Sequence, residues 1–301
     1  MKKGIFVLEK LNLKKAKQVL NLGCNTVFVG HQNLDRNSVD FLKKAGVEIN
    51  VEFGVFAGQE WWQKYPDSRP VDMNGKLMDP IHWYAGVCPN HPGVVKDKLG
   101  SIKKVLLDYS IDGLWLDFIR YPCHWEDVRD SGIIEYCFCQ NCLKKFGKNP
   151  AGPNWINWKC QQITNFLKQT KKLLSKKTKL GIFTVPWRSS DFNNAITRVI
   201  GQDLPALAKH VDTFSPMTYH QMVSRSIDWI AEIVNYTDKE TKKLVLPLVQ
   251  TEDKPNRLSA EEFKFSIEQA IKTPSEGVIV FFLEDLLKDP KKTTVVKSVF
   301  R

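Results

Sequence analysis

The stretch Ile111-Asp112-Gly113-Leu114-Trp115-Leu116-Asp117-Phe118-Ile119-Arg120-Tyr121-Pro122 decides the fold. It leaves an aspartate-glycine turn, passes through an almost continuous apolar run, and ends in Asp117, Arg120 and Tyr121. Leu114, Trp115, Leu116, Phe118 and Ile119 suit a strand covered on both faces, the situation of a parallel sheet. An acid inside such a run bears a desolvation cost. A site at the strand's carboxyl end accounts for it, and Asp112 reads as the cap of the turn into the strand.

Outward from this stretch, strand-like apolar runs alternate with amphipathic helical ones. Strands are predicted at Gly4 to Glu9, Asn25 to His31, Val47 to Phe56, around Asp117, Leu180 to Trp187, Thr213 to His220, Leu244 to Thr251 and Gly277 to Leu283. Helices fall between them at Leu13 to Leu22, Ser38 to Ala45, Pro92 to Tyr109, Trp155 to Lys176, Asn193 to Lys209, Ser226 to Tyr236 and Ala260 to Lys272, with a last one from Pro290. Strict alternation means crossover helices and a parallel sheet, and eight such units in 301 residues is the count of a (β/α)₈ TIM barrel. A doubly wound sheet would place a glycine-rich phosphate turn after the first strand, where LEKLNLKK has no glycine. The expectation is one barrel domain over residues 1–301, with long loops after strands 3 and 4, at about 57 to 91 and 121 to 154.

Hydrophobic residues make up 43% and charged ones 26%, which is globular composition. No apolar run approaches the roughly 20 residues of a membrane span, and the amino-terminal IFVL is far shorter than a signal-peptide core. The chain is therefore expected to be soluble and cytoplasmic, with no membrane partner. The net charge of +11 would suit nucleic acid, but the lysines scatter over helix faces and ends at 168 to 179, at Lys242 and Lys243, and from Lys288 to Lys292. No nucleic-acid motif accompanies them, so no nucleic-acid partner is expected. Seven cysteines, three of them in Cys137-x-Cys139-x-x-Cys142, suit reduced thiols around a metal better than a disulfide framework.

Barrel chemistry belongs to the carboxyl ends of the strands. The residues found there are Glu9, His31, Glu52, Asp117 with Arg120, Trp187 with Arg188, Tyr219 with His220, Gln250 to Glu252, and Glu284 with Asp285. The loop after strand 3 adds Trp61, Trp62, His82, Trp83 and Tyr84. Aromatic planes beside carboxylates suit stacking on sugar rings; the plain alternative is that the tryptophans pack the loop onto the barrel.

IDGLWLDFIRYP resembles the fourth-strand motif, DG-x-x-x-D-x-x-R-x-P, of barrel-fold glycoside hydrolases of the uncharacterised and exopolysaccharide-cleaving kinds. Phe214-Ser215-Pro216-Met217-Thr218-Tyr219-His220 is similar to their sixth-strand SPM-x-Y segment. A more distant likeness is to chitinases, but Ile119 stands where those enzymes carry their acidic glutamate, so their mechanism does not transfer. Val87-Cys88-Pro89-Asn90-His91-Pro92 and Cys137-x-Cys139-x-x-Cys142-Leu-x-x-Phe146 are similar to two segments of the zinc-containing barrel-fold β-galactosidases. That resemblance implies a structural zinc held by Cys88, Cys137, Cys139 and Cys142. The asparagine-glutamate pair of those enzymes is missing after the fourth strand, so their catalytic residues are not carried over.

Four thiolates close a tetrahedral zinc site and leave no position for water, which makes such a site structural. Cys123 and His124, in the same loop as the C-x-C-x-x-C run, are alternatives to Cys88, whereas Cys24 and Cys160 read as core. Glycoside hydrolysis needs two carboxyl groups. Asp117 is the first; the partner is Glu252 or Glu284, with Glu52 a further possibility. His31, Glu52, Trp62, Trp83, Arg120, Trp187, Tyr219 and His220 are expected to contact substrate. The expected function is a glycoside hydrolase acting on a carbohydrate substrate without an organic cofactor. Two rivals are a non-catalytic carbohydrate-binding barrel and a metal-dependent barrel hydrolase of another class.

Overall fold

The computed structural model describes residues 1–127 and 132–301. Residues 128–131 of the long loop expected at 121 to 154 lie outside the described residues. Nine strand segments are found: β1 (Lys2–Val7), β2 (Thr26–Gly30), β3 (Glu48–Gly54), β4 (Gly113–Asp117), β5 (Lys179–Thr184), β6 (Thr213–Pro216), β7 (Leu244–Val245), β8 (Leu248–Gln250) and β9 (Gly277–Phe281). They form one sheet in the order β7-β6-β5-β4-β3-β2-β1-β9-β8, and every pairing in it is parallel.

The seventh expected strand is split into β7 and β8. Pro247 has no N–H to give to a ladder, so the pairing changes sides there. Leu246 still donates to Phe214 of β6 at 2.9 Å, whereas Ile279 of β9 donates to the Pro247 carbonyl at 2.8 Å. Met217 bridges Leu248 in parallel. The two ends of the sheet therefore meet, and the architecture is an α/β barrel.

Inside the barrel, alternate residues of each strand form layers. Asn50 Nδ2 donates to Thr26 Oγ1 at 2.6 Å near the strand starts. Above this pair lies Trp115, edge-on to Phe28 at 5.0 Å, its Nε1 donating to Ser215 Oγ at 2.9 Å. Glycines on either side make room for the indole: a Cβ at Gly113 or Gly181 would stand 2.3 or 2.1 Å from its ring atoms. Phe6, Phe183 and Phe281 fill the remainder, with Phe6 at 6.2 Å from Phe183 and 5.2 Å from Phe281. This plug fills the middle of the barrel, which leaves the carboxyl ends as the place for a ligand.

Outside, helices Leu13–Asn21, Arg36–Lys44, Pro92–Asp108, Gly152–Leu173, Trp229–Thr241, Ala260–Ala270 and Pro290–Phe300 cover the sheet. The helix expected over Asn193 to Lys209 is instead two short pieces, Ala195–Arg198 and Leu204–Leu207. Gly201 between them takes a φ of +71°, a conformation that ends a helix rather than continuing it. Among the described residues, the chain between β3 and helix Pro92–Asp108 carries the short helical turns Glu60–Lys64 and Pro66–Ser68, and that between β4 and helix Gly152–Leu173 carries Trp125–Asp127 and Gln140–Phe146. No helix among the described residues is long and apolar enough to cross a membrane.

Candidate active site

β3 and β4 are in register with Glu52 opposite Trp115 and Gly54 opposite Asp117. Glu52 and Asp117 thus face the same interior one diagonal step apart, on the order of 8 Å between Cα atoms from strand spacing and rise. Gly30 and Gly54 leave space for the Glu52 carboxyl: their Cβ positions would lie 3.3 Å from Oε2 and 3.6 Å from Oε1. Burial, then the Asp117 charge, pushes Glu52 up to about 8, with Lys98 opposing.

Asp117 is also raised by burial, to about 6, while Arg120 and the Phe118 N–H favour its charged form and Glu126 disfavours it. Its Oδ1 accepts that N–H at 2.6 Å and lies 3.8 Å from Arg120 Nη1. Phe118 adopts a φ of +51°, an uncommon conformation for a large side chain and one that concentrates at functional sites. The turn brings Arg120 back beneath Asp117. Arg120 is 2% exposed, stands over the Phe118 ring at 4.8 Å, and its Nε and Nη1 have no hydrogen-bond partner among the described residues.

Two carboxyls whose environments separate their proton affinities are the usual mark of an acid and a base working together. Near neutral pH Asp117 is ionised and Glu52 holds its proton. The same shift has a stability sign. In the unfolded chain Glu52 ionises near the ordinary glutamate value of 4.5, and in the fold only near 8, so stability falls as pH rises through that window. Glu52→Gln is therefore expected to melt above wild type at pH 8, by on the order of 3–6 °C, and to converge with it at pH 4. Thermal melts at the two pH values check this; equal curves at pH 8 would contradict the burial of a protonated Glu52.

Lys98 and Glu126 complete the charges and were not singled out from the sequence. Lys98 sits on the buried stripe of its helix with Val94, Ile102 and Val105, a lysine at an apolar position that the helical spacing makes legible. Its Nζ donates to the Gly54 carbonyl at 2.7 Å and stands over Trp61 at 4.5 Å. Burial brings it down to about 8. Glu126 follows Asp117 by nine residues, in the 3₁₀ turn Trp125–Asp127. Its side chain is 16% exposed, and burial raises it against the pull of Arg120.

The other expected site residues divide. Tyr219 stacks between Trp125 at 6.1 Å and Phe281 at 5.3 Å, and feels the charges of Asp117, Glu126 and Glu252. Glu252 is thus at the mouth, where it pairs with Lys254 at 2.8 Å. Trp187 lines a cavity of about 350 Å³ together with Trp125, Glu126, Phe192 and Arg225. Trp83 is 67% exposed and meets the Phe118 ring edge-on at 6.0 Å. His31 lies against Phe53 at 4.3 Å, and burial, then Lys98, lowers it to about 4.

Three are engaged elsewhere. Trp62 donates to the Gly86 carbonyl at 2.9 Å under the Arg69 guanidinium, which is loop packing. His220 is buried with Nε2 3.1 Å from Glu262 Oε1. Glu284 bonds Lys15 at 2.6 Å and accepts the N–H groups of Leu8 and Glu9 at 3.1 Å each, closing the turn after β1.

Cys88 of the loop after β3 joins Cys137, Cys139 and Cys142 of the loop after β4, with all four sulfurs within 4.8 Å of one another and buried. Sγ of Cys88 is 3.4 Å from Cys139 and 3.5 Å from Cys142. These separations are too long for a disulfide and close to the edge of about 3.8 Å expected for sulfurs about 2.3 Å from a tetrahedral ion. The Asn90 N–H and Nδ2 point at Cys88 and Cys142 sulfurs at 3.4 and 3.3 Å. Nδ2 also reaches Tyr121 Oη at 2.7 Å, which ties the cluster to the chain leaving β4. The donor set fits a metal ion. Cys123 and His124 are outside this cluster.

Comparison with known proteins agrees with this architecture. No family model matches the sequence. A β-galactosidase LacZ of Heyndrickxia coagulans is 27% identical over 137 residues, which is 43% of this chain and 18% of that protein, so the chain spans about a fifth of the relative's length. Among solved structures, the PgaB (BpsB) glycoside hydrolase domain from Bordetella bronchiseptica superposes with a TM-score of 0.74 at 13% identity over 98% of both chains. A β-galactosidase from the psychrophilic Marinomonas ef1 gives 0.75 at 11% identity, covering all of this chain and 59% of that one. The PelA glycoside hydrolase domain from Pseudomonas aeruginosa gives 0.56 at 12%, covering 92% and 94%. The structural neighbours are glycoside hydrolases on a barrel, and at these identities the likeness establishes the fold.

Proposed function

We propose that the chain is a single (β/α)₈ domain that hydrolyses O-glycosidic bonds, with Asp117 and Glu52 as its carboxyl pair. The observation that carries this is the pair itself: two acids on adjacent strand ends, one held ionised beside Arg120 and the other kept protonated by burial. Glu52 gives its proton to the bridging oxygen as the bond from sugar carbon to that oxygen breaks. Asp117 attacks that carbon or takes the proton of the water that does. Trp83 offers an exposed plane to the sugar, Trp187 lines the neighbouring cavity, Tyr219, covered by Trp125 and Phe281, has only its hydroxyl to give, and Glu252 lies at the mouth as a further carboxylate. Glu52 takes the partner role for which Glu252 and Glu284 were the first choices from sequence.

A binding barrel would need the aromatic surfaces but not this pair. The test is a panel of aryl glycosides and polysaccharides incubated with wild-type protein, with thermal melting in the presence of each. Cleavage of at least one member supports the proposal. Melting shifts with sugars and no cleavage of any would favour the binding barrel.

Glu284, with both oxygens engaged, acts in the fold. Glu284→Gln is expected to lower the melting temperature by about 2–6 °C while kcat of the folded protein stays within about threefold of wild type; a loss of several orders in kcat would return Glu284 to the chemistry. Cys88, Cys137, Cys139 and Cys142 would hold a structural zinc that braces the loops after β3 and β4. Its chemistry there is to bind four thiolates, with no position left for a reactant.

A further inference from the structure

The cavity lined by Trp187 and by Glu126, whose charge acts on Asp117, has a charge pattern of its own. Its volume of about 350 Å³ falls within the range of about 300–1,000 Å³ usual for small-molecule sites. Trp125, Trp187 and Phe192 give it aromatic walls, and Glu126, Asp191 and Arg225 also line it. Both acids are already matched by arginines. Asp191 Oδ2 accepts the Arg188 N–H at 2.7 Å and lies 3.6 Å from the Arg188 Nε. Arg120 opposes the charge of Glu126.

Arg225 has no such counterpart. It is exposed and makes no ion pair or side-chain hydrogen bond among the described residues. Its backbone is held, because its N–H donates to the His220 carbonyl at 2.8 Å and Ser224 before it turns at a φ of +54°. Of the ionic groups lining the cavity, a guanidinium is the one left over.

Resting on the glycosidase proposal, we infer that this cavity takes a hexuronate unit of an acidic polysaccharide, its ring against Trp187 and Phe192 and its carboxylate on Arg225. A guanidinium matches a carboxylate with two parallel, charge-assisted hydrogen bonds, whereas a neutral hexose offers it only uncharged hydroxyl oxygens. The +11 net charge of the chain favours the approach of a polyanion to the protein as a whole, within the range of a screened field.

The test uses oligosaccharides of glucuronate, galacturonate and mannuronate, each paired with its carboxyl-reduced neutral counterpart, and titrates them by calorimetry into Asp117→Asn protein to avoid turnover. In at least one pair the uronate is expected to bind about tenfold tighter than its neutral partner, with the ratio shrinking as salt is raised. Adding Arg225→Gln should bring the two members within about twofold, and Arg225→Lys should keep part of the difference. Arg225 is exposed, so these variants are expected to melt like their parent.

Equal binding within every pair would overturn the inference, as would tighter binding of neutral or amino sugars, or a uronate preference that survives Arg225→Gln. If wild type cleaves neutral glycosides without such a preference, the inference falls and the glycosidase proposal stands. If no sugar is bound or cleaved, both fall.

Discussion

Asp117→Asn is expected to lower kcat on any glycoside the protein cleaves by about 10³-fold or more, with the melting temperature within a few degrees of wild type. The side chains have the same shape, and the asparagine oxygen can still accept the Phe118 N–H that Asp117 Oδ1 takes at 2.6 Å. What is lost is the charge that Arg120 holds in its ionised form. Asparagine can neither attack a sugar carbon nor take a proton from water. Arg120 keeps Glu126 as a counter-charge, so the fold is not left with an unopposed buried cation. Steady-state kinetics beside a thermal melt decide the matter: full activity in a folded variant would remove Asp117 from the chemistry, and the pair with it.

The second large effect is on stability. Metal analysis of purified protein is expected to find one zinc per chain, and its removal by a strong chelator to lower the melting temperature by about 10 °C or more. The cluster joins two long loops whose buried side chains, Met78, Tyr84 and Val87 of one and Tyr121, Trp125 and Tyr136 of the other, pack against the barrel core. Between them run an antiparallel bridge from Asp72 to Tyr136, the Phe138 N–H to the Val71 carbonyl at 2.8 Å, the Cys123 N–H to Tyr84 Oη at 3.1 Å and a hydrogen bond of 3.1 Å from Asn141 to Asp67; a bound ion would add four bonds to these ties. Cys139→Ser should behave like the chelated protein, whereas Cys24→Ser and Cys160→Ser should keep the zinc, because those thiols are buried apart from the cluster. A folded protein with no bound metal and four freely titrating thiols would contradict the metal site.

The sequence carries the barrel because each unit announces itself twice, once by an apolar run of strand length and once by a helical period. Where it misled, one residue usually decided. Pro247 splits a strand that reads as continuous, and Gly201 breaks a stretch whose apolar spacing suits one helix. Asp117 was legible because an acid stands out in an apolar run, and Cys88 because its segment resembles a zinc-binding one.

Sequence reasoning put Glu284, with Glu252, ahead of Glu52, and nothing in the sequence separates the surroundings of Glu52 from those of Glu284. Both end strands among apolar residues, and only the fold sets one carboxyl between two glycines facing Asp117 and the other against Lys15 and two backbone N–H groups. Glu126 lay outside the strand-end rule altogether. It comes from a loop, and its place follows from the turn at Phe118 and from Arg120.

The pH dependence of kcat/KM on an aryl glycoside with a good leaving group, measured for wild type and Glu52→Gln, bears most directly on the paired carboxyls. Wild type is expected to show a bell whose acid limb lies near 6, where Asp117 ionises, and whose alkaline limb lies near 8, where Glu52 loses its proton. Such a substrate needs little help from an acid, so Glu52→Gln should retain measurable activity, keep the acid limb and lose the alkaline one. An alkaline limb unchanged by Glu52→Gln would show that the proton comes from another group, and the pairing of Glu52 with Asp117 would be wrong.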